Sequence, residues 1–102
     1  MKFGDSRIAV SDVDGLFVVE RSACFLFIET KGKDDPVPKG QQILLEALSR
    51  IPRAAVVLLR GGKGYPSQLQ RVKHGRFEGV EKTSREDFQR RLDIWFDYAN
   101  SI

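Results

Sequence analysis

The sequence holds one cysteine, one histidine and one tryptophan, and the first two scarcities each close off a chemistry. A lone cysteine makes neither an internal disulfide nor a cysteine-based zinc site, and Cys24, set in the apolar run CFLFI, reads as a reduced core thiol. A lone imidazole builds no histidine metal cluster, and His74 in Lys73-His74-Gly75 reads as a turn residue. No apolar run approaches the roughly 20 residues that span a bilayer. The opening MKFGDSR has no secretory apolar segment, so no membrane association and a cytoplasmic location are expected. Repeats, low-complexity tracts and linkers are lacking too, and 102 residues then make a single domain, 1–102, with a modest core. The net charge of +3 leans mildly towards polyanionic partners, without the dense basic blocks that would point to nucleic acid by themselves.

What is present falls into alternating apolar runs and turn signals. Ile8 to Val13 reads as a first strand. Leu16 to Val19 and Cys24 to Thr30, rich in β-branched and aromatic residues, read as a hairpin turning through Glu20-Arg21-Ser22-Ala23. GKDDPVP at 32–38 is a loop by its glycine and prolines. Pro38 stands where a helix can begin, QQILLEALSRI continues with helical spacing, and Pro52 ends it. Ala54 to Leu59 is apolar without alternation, as in a strand covered on both faces. Gly61-Gly62-Lys63-Gly64-Tyr65-Pro66 reads as a flexible loop, and 68–82 as a second hairpin turning at His74-Gly75. Thr83-Ser84 ahead of Glu86-Asp87 is a capping-box signature, and the helix behind it carries Phe88, Leu92, Trp95, Phe96 and Ala99 on one stripe. The expected order is βββ-α-β, then a β-hairpin and a C-terminal helix, an α/β fold with a central mixed sheet.

The segment SDVDGLFVVERSACFLFIETKGKDDPVPKGQQ concentrates the chemistry. With residue 20 facing residue 23, the hairpin register sets Asp14 opposite Glu29 and Asp12 opposite Lys31, all on one face of the sheet. Directly opposed residues lie about 5 Å apart, and two carboxylates at that distance repel unless a cation lies between them. Phe25, Phe27, Leu16 and Val18 share that face, so charges at its end must be paired or bind an ion. A divalent metal satisfies this, and so does a salt-bridged Asp-Glu-Lys cluster. Mg²⁺ or Mn²⁺ suits the first case, with Asp14 and Glu29 as ligands, the Thr30 carbonyl as an extra one, Asp12 as a secondary one and the Lys31 ammonium beside them. On the following helix Gln41, Leu44, Leu45 and Leu48 share one face, whereas Gln42, Glu46 and Arg50 fall on the outer one.

An Asp before a hairpin, Glu-x-Lys (Glu29-Thr30-Lys31) after it, and a helix carrying Gln together resemble the PD-(D/E)xK nuclease superfamily, in particular its small phage-encoded, VRR-NUC-like members. The resemblance covers residues 8 to 60. It implies a restriction-endonuclease-like core and a Mg²⁺- or Mn²⁺-dependent endonuclease hydrolysing phosphodiester bonds in DNA, with no organic cofactor. Residue by residue, it makes Asp14 and Glu29 metal ligands, Lys31 the catalytic lysine and Gln41 the glutamine near the metal waters or the DNA backbone. Val13 stands where the family has proline, and no helix is expected ahead of the first strand. A partner subunit in a homodimer would supply the missing layer, or Asp12 the missing carboxylate.

Two other readings are set beside this one. A non-catalytic nuclease-like module would bind nucleic acid or a host enzyme. A structural subunit would assemble through the apolar C-terminal helix. Lys33, Lys39, Arg60, Lys63, Arg71, Lys73 and Arg76 are candidate phosphate contacts, or plain solvated charges. The GGKG run is no phosphate cradle, because Tyr65-Pro66 follows where Ser or Thr opening a helix is needed.

Overall fold

The computed structural model describes residues 15–62 and 65–102. Its element order is β1 (Gly15–Val19), a single 3-10 turn (Glu20–Ser22), β2 (Cys24–Lys31), α1 (Lys39–Leu48), β3 (Ala54–Gly62), β4 (Tyr65–Lys73), β5 (Arg76–Lys82) and α2 (Arg85–Ser101). This is an α/β architecture with a five-stranded mixed sheet, in the order β1-β2-β3-β4-β5, and two helices. The strand expected over 8–13 lies outside the described residues.

The β1-β2 hairpin has the register read from the sequence: Leu16 pairs with Phe27 and Val18 with Phe25. Ala23 closes the turn in the left-handed region at φ 56, its N–H donating to the Glu20 carbonyl at 3.1 Å. β2 and β3 run parallel, Glu29 beside Leu58 and Lys31 beside Arg60, and α1 is the crossover that such a pair requires. The other neighbours are antiparallel. The β4-β5 turn is made by His74 and Gly75, both at positive φ (51 and 80), as a tight hairpin in a right-twisted sheet demands.

Alternation along the strands divides the core into two layers. On one face Phe27, Val56 and Val72 pack with Leu45 and Leu48 of α1, and with Leu16, Phe25 and Phe77. On the other, Leu26, Ile28, Leu59 and Leu69 pack with Phe88, Leu92 and Trp95 of α2. Phe96 sets its ring edge-on to Phe17, and Ala99 is wholly buried, so the whole apolar stripe of α2 is used. Helices on both faces explain why AAVVLL shows no polar alternation.

Three boundaries depart from the sequence reading. The α1 helix ends at Leu48, before the residues SRI, which continue as turns with Arg50 N–H on the Ala47 carbonyl at 3.1 Å; Pro52 marks the region of the stop but not its residue. Gly61 and Gly62 complete β3 and Tyr65 and Pro66 begin β4, so most of the expected GGKGYP loop is strand. A bulge at Arg60/Gly61 lets the chain turn there. Gly61, at φ 153, takes a conformation that disfavours other residues, and a Cβ on it would meet the Tyr65 carbonyl oxygen at 2.5 Å. Among the described residues, no helix is long and apolar enough to cross a membrane.

Candidate functional site

Glu29 sits in the C-terminal half of β2 with its side chain on the α1 face, following Phe25 and Phe27 in alternation, and it is 2% exposed. A carboxylate removed from water so completely needs donors. One comes from the first turn of α1, where Gln41 Nε2 donates to Glu29 Oε2 at 2.5 Å. Gln41 reaches it because its helical position is one turn before Leu45, the residue that docks α1 on the sheet. Gln42, one position on, turns away and donates to the Val37 carbonyl at 2.8 Å. Gln41 Oε1 is buried and has no hydrogen-bond partner among the described residues. A buried carboxylate and an orphaned buried amide oxygen are hard oxygen donors of the kind that Mg²⁺ and Mn²⁺ take, so this donor set fits such an ion. Asp12 and Asp14, the other carboxylates expected here, lie outside the described residues. Among the described residues no three His, Cys, Asp or Glu side chains converge.

Lys31, two residues beyond Glu29 on the same face, ends β2 beside Arg60 of β3. The two cations differ in what they hold. The Arg60 guanidinium donates to the Gly32 carbonyl at 3.2 Å and to the Asp35 carbonyl, fastening the loop after β2 to β3. Lys31 lines an open groove of about 670 Å³ at the ends of the parallel pair. Thr30 and Leu59 of the sheet line it too, together with Arg85, Phe88 and Gln89 of α2. Neither Glu29 nor Gln41 lines it. The structure therefore joins Glu29 to Gln41 on one face of the sheet and places Lys31 at the edge where that face meets the groove.

Several cations singled out in the sequence have internal work. Arg71 pairs with Glu81 at 3.1 Å, and Arg60 is bound as described. Lys33, Lys39, Lys73 and Arg76 are exposed, and Lys63 lies outside the described residues. Sequence reasoning missed Tyr65 and Arg85 as groove residues; β3-β4 pairing brings Tyr65 to the groove and the packing of α2 brings Arg85, relations between separate elements that no local pattern carries. At the start of α2, Ser84 Oγ accepts from the Asp87 N–H at 3.0 Å, as the capping signature required. Hydrogen bonds from the Arg91 guanidinium first, then from Thr83 and Arg90, hold the Asp87 carboxyl down at about 2. Asp87 and Glu81 in turn raise Arg91 above its ordinary value.

Comparison of the chain with protein-family models, with curated proteins and with solved structures finds no match.

Proposed function

We propose that this chain is a metal-dependent nuclease that hydrolyses phosphodiester bonds in DNA, built on a restriction-endonuclease-like core of the PD-(D/E)xK type and acting in the cytoplasm. The observation that carries the reading is the buried Glu29 carboxylate, held by Gln41 at 2.5 Å and two residues from Lys31 at the end of a sheet strand. The fit of sheet, crossover helix and Glu-x-Lys to the sequence resemblance supports it.

Glu29, the Thr30 carbonyl and Asp14 would hold Mg²⁺ or Mn²⁺, with Asp12 secondary; Asp12 and Asp14 enter on the sequence register alone. The ion, when bound, supplies neutralisation of phosphate charge and lowers the pKa of an attacking water. The protein's own groups do the rest. Gln41 fixes the Glu29 carboxylate in one orientation, which a ligand near a reacting phosphate requires. The Lys31 ammonium, partly exposed at the strand end, orients the water and offsets charge that builds on the phosphate in the transition state.

The test is cleavage of linear duplex, single-stranded and four-way-junction DNA with Mn²⁺ or with EDTA, beside Lys31→Ala. Metal-dependent cutting that falls by about 10²–10³ or more in the variant supports the reading. A folded Lys31→Ala enzyme that cuts as well as wild type overturns it. A second reading rests on the same hydrogen bond: an amide closing on a buried carboxylate also serves as plain core polarity, as in a non-catalytic nuclease-like module. The two separate on whether Mn²⁺ stabilises the native chain.

A further inference from the structure

The groove beyond β2 and β3 is a feature that the Glu29–Gln41 pair does not use. Three cations line it, Lys31, Arg60 and Arg85, against the single carboxylate of Asp35. That carboxylate, on the exposed loop after β2, accepts at Oδ2 from the Gly32 N–H at 3.2 Å. Arg60 is spent on backbone carbonyls. The lining is thus net positive, with Lys31 on β2 and Arg85 in the first turn of α2 supplying cations from different elements. The rim carries Tyr65, an aromatic side chain that is 69% exposed, far more than a folded chain leaves for a ring with a core role. Its backbone is pinned there by pairing with Gly62 and by the following Pro66, and Gly61 gives it room to approach.

A positive groove with an exposed ring at its rim is the composition that binds unpaired nucleic acid: cations track phosphates, and aromatic faces take bases in turn. A volume of about 670 Å³ is that of a small-ligand cleft, so it takes a nucleotide-sized segment and not the body of a duplex. Bases in a duplex are stacked on one another and offer no face to Tyr65. We propose that the groove binds a single-stranded segment of nucleic acid, one base stacked on Tyr65 and the adjoining phosphates held by Lys31 and Arg85. Binding of this kind stands apart from catalysis. That the bound strand is then led over the sheet end towards Glu29, making unpaired DNA the favoured substrate, rests on the nuclease reading.

Fluorescence anisotropy in EDTA tests it, with a labelled oligothymidylate, a hairpin duplex of similar length and polyglutamate as competitor. The single strand is expected to bind more tightly than the duplex. Tyr65→Ala should weaken it by about ten-fold while Tyr65→Phe stays near wild type, as stacking requires. Arg85→Ala should flatten the slope of log affinity against log salt by about 0.7, one phosphate contact. Tyr65 and Arg85 are both exposed, so both variants should melt as wild type does. Absence of single-strand binding, a preference for duplex, equal competition by polyglutamate, or full affinity in a folded Tyr65→Ala would each overturn the proposal. Strand binding without cleavage in Mn²⁺ would refute the nuclease and leave the groove standing; cleavage with no loss in Tyr65→Ala binding would do the reverse.

Discussion

Gln41 donates its amide to the carboxylate of Glu29 across the seam between α1 and β2, joining helix to sheet by a polar bond beside the apolar packing of Leu45. Removing the donor leaves a carboxylate in the core with one hydrogen bond fewer. Gln41→Ala is therefore expected to cost about 1–3 kcal/mol in urea unfolding, whereas Gln42→Ala, which loses a bond to the Val37 carbonyl on the partly exposed side, should cost about 1 kcal/mol or less. Equal losses for the two variants would show that Glu29 finds its donors elsewhere.

If Glu29 is a metal ligand, the native chain binds Mn²⁺ and the unfolded one does not. Mn²⁺ at a hundred times its Kd should then stabilise the fold by about 2.7 kcal/mol, read as a rise in melting temperature. Glu29→Gln should melt at a temperature that Mn²⁺ no longer moves. A rise that survives in Glu29→Gln would place the ion at another site.

Acid should reveal the Asp87 cluster. Its carboxyl titrates near 3.9 when unfolded and at about 2 when folded, because Arg91, Thr83 and Arg90 hold the charged form. A folded pKa below the unfolded one means stabilisation that is complete above about pH 4 and disappears as pH falls towards 2. The melting temperature of wild type should exceed that of Asp87→Asn by a constant margin near neutrality, and the margin should close over that acid window. A margin that does not change with pH would assign the effect to shape and not to charge.

Leu45 is wholly buried between α1 and the sheet, and Ile43, two positions earlier, is 55% exposed. Leu45→Ala is expected to lose about 2–5 kcal/mol, and Ile43→Ala less than about 0.5 kcal/mol, in equilibrium unfolding. A large loss at Ile43 would reveal that its surface is covered in solution.

The parts of this molecule legible in its sequence are those set by local periodicity. The polar turn Glu20–Ala23 fixes a register in which Leu16 meets Phe27, and a register is all that is needed to place Glu29 on a buried face. Helical spacing distinguishes Gln41 from Gln42, because only Gln41 falls within the stripe of Leu44, Leu45 and Leu48. Boundaries were harder. Pro52 signals that α1 must stop but permits any stop before it, and the chain uses Leu48. Glycines at 61 and 62 look like a loop, yet a bulge keeps them in the sheet. The groove was beyond reach of any pattern, since sheet pairing brings Lys31 and Tyr65 to it and the packing of α2 adds Arg85.

The packing of α2 also has a consequence for how the chain is made. Among the described residues all five strands precede it in the sequence, and its Phe88, Leu92 and Trp95 pack on Leu26, Ile28, Leu59 and Leu69. During synthesis the sheet can assemble by neighbour pairing while that face is still bare. A ribosome adding about 5–20 residues per second delivers these strands before the helix that packs on them. Arg21, in the turn between β1 and β2, reaches the carbonyls of Asn100 and Ile102, so the last turn of α2 is clasped by a segment made before it.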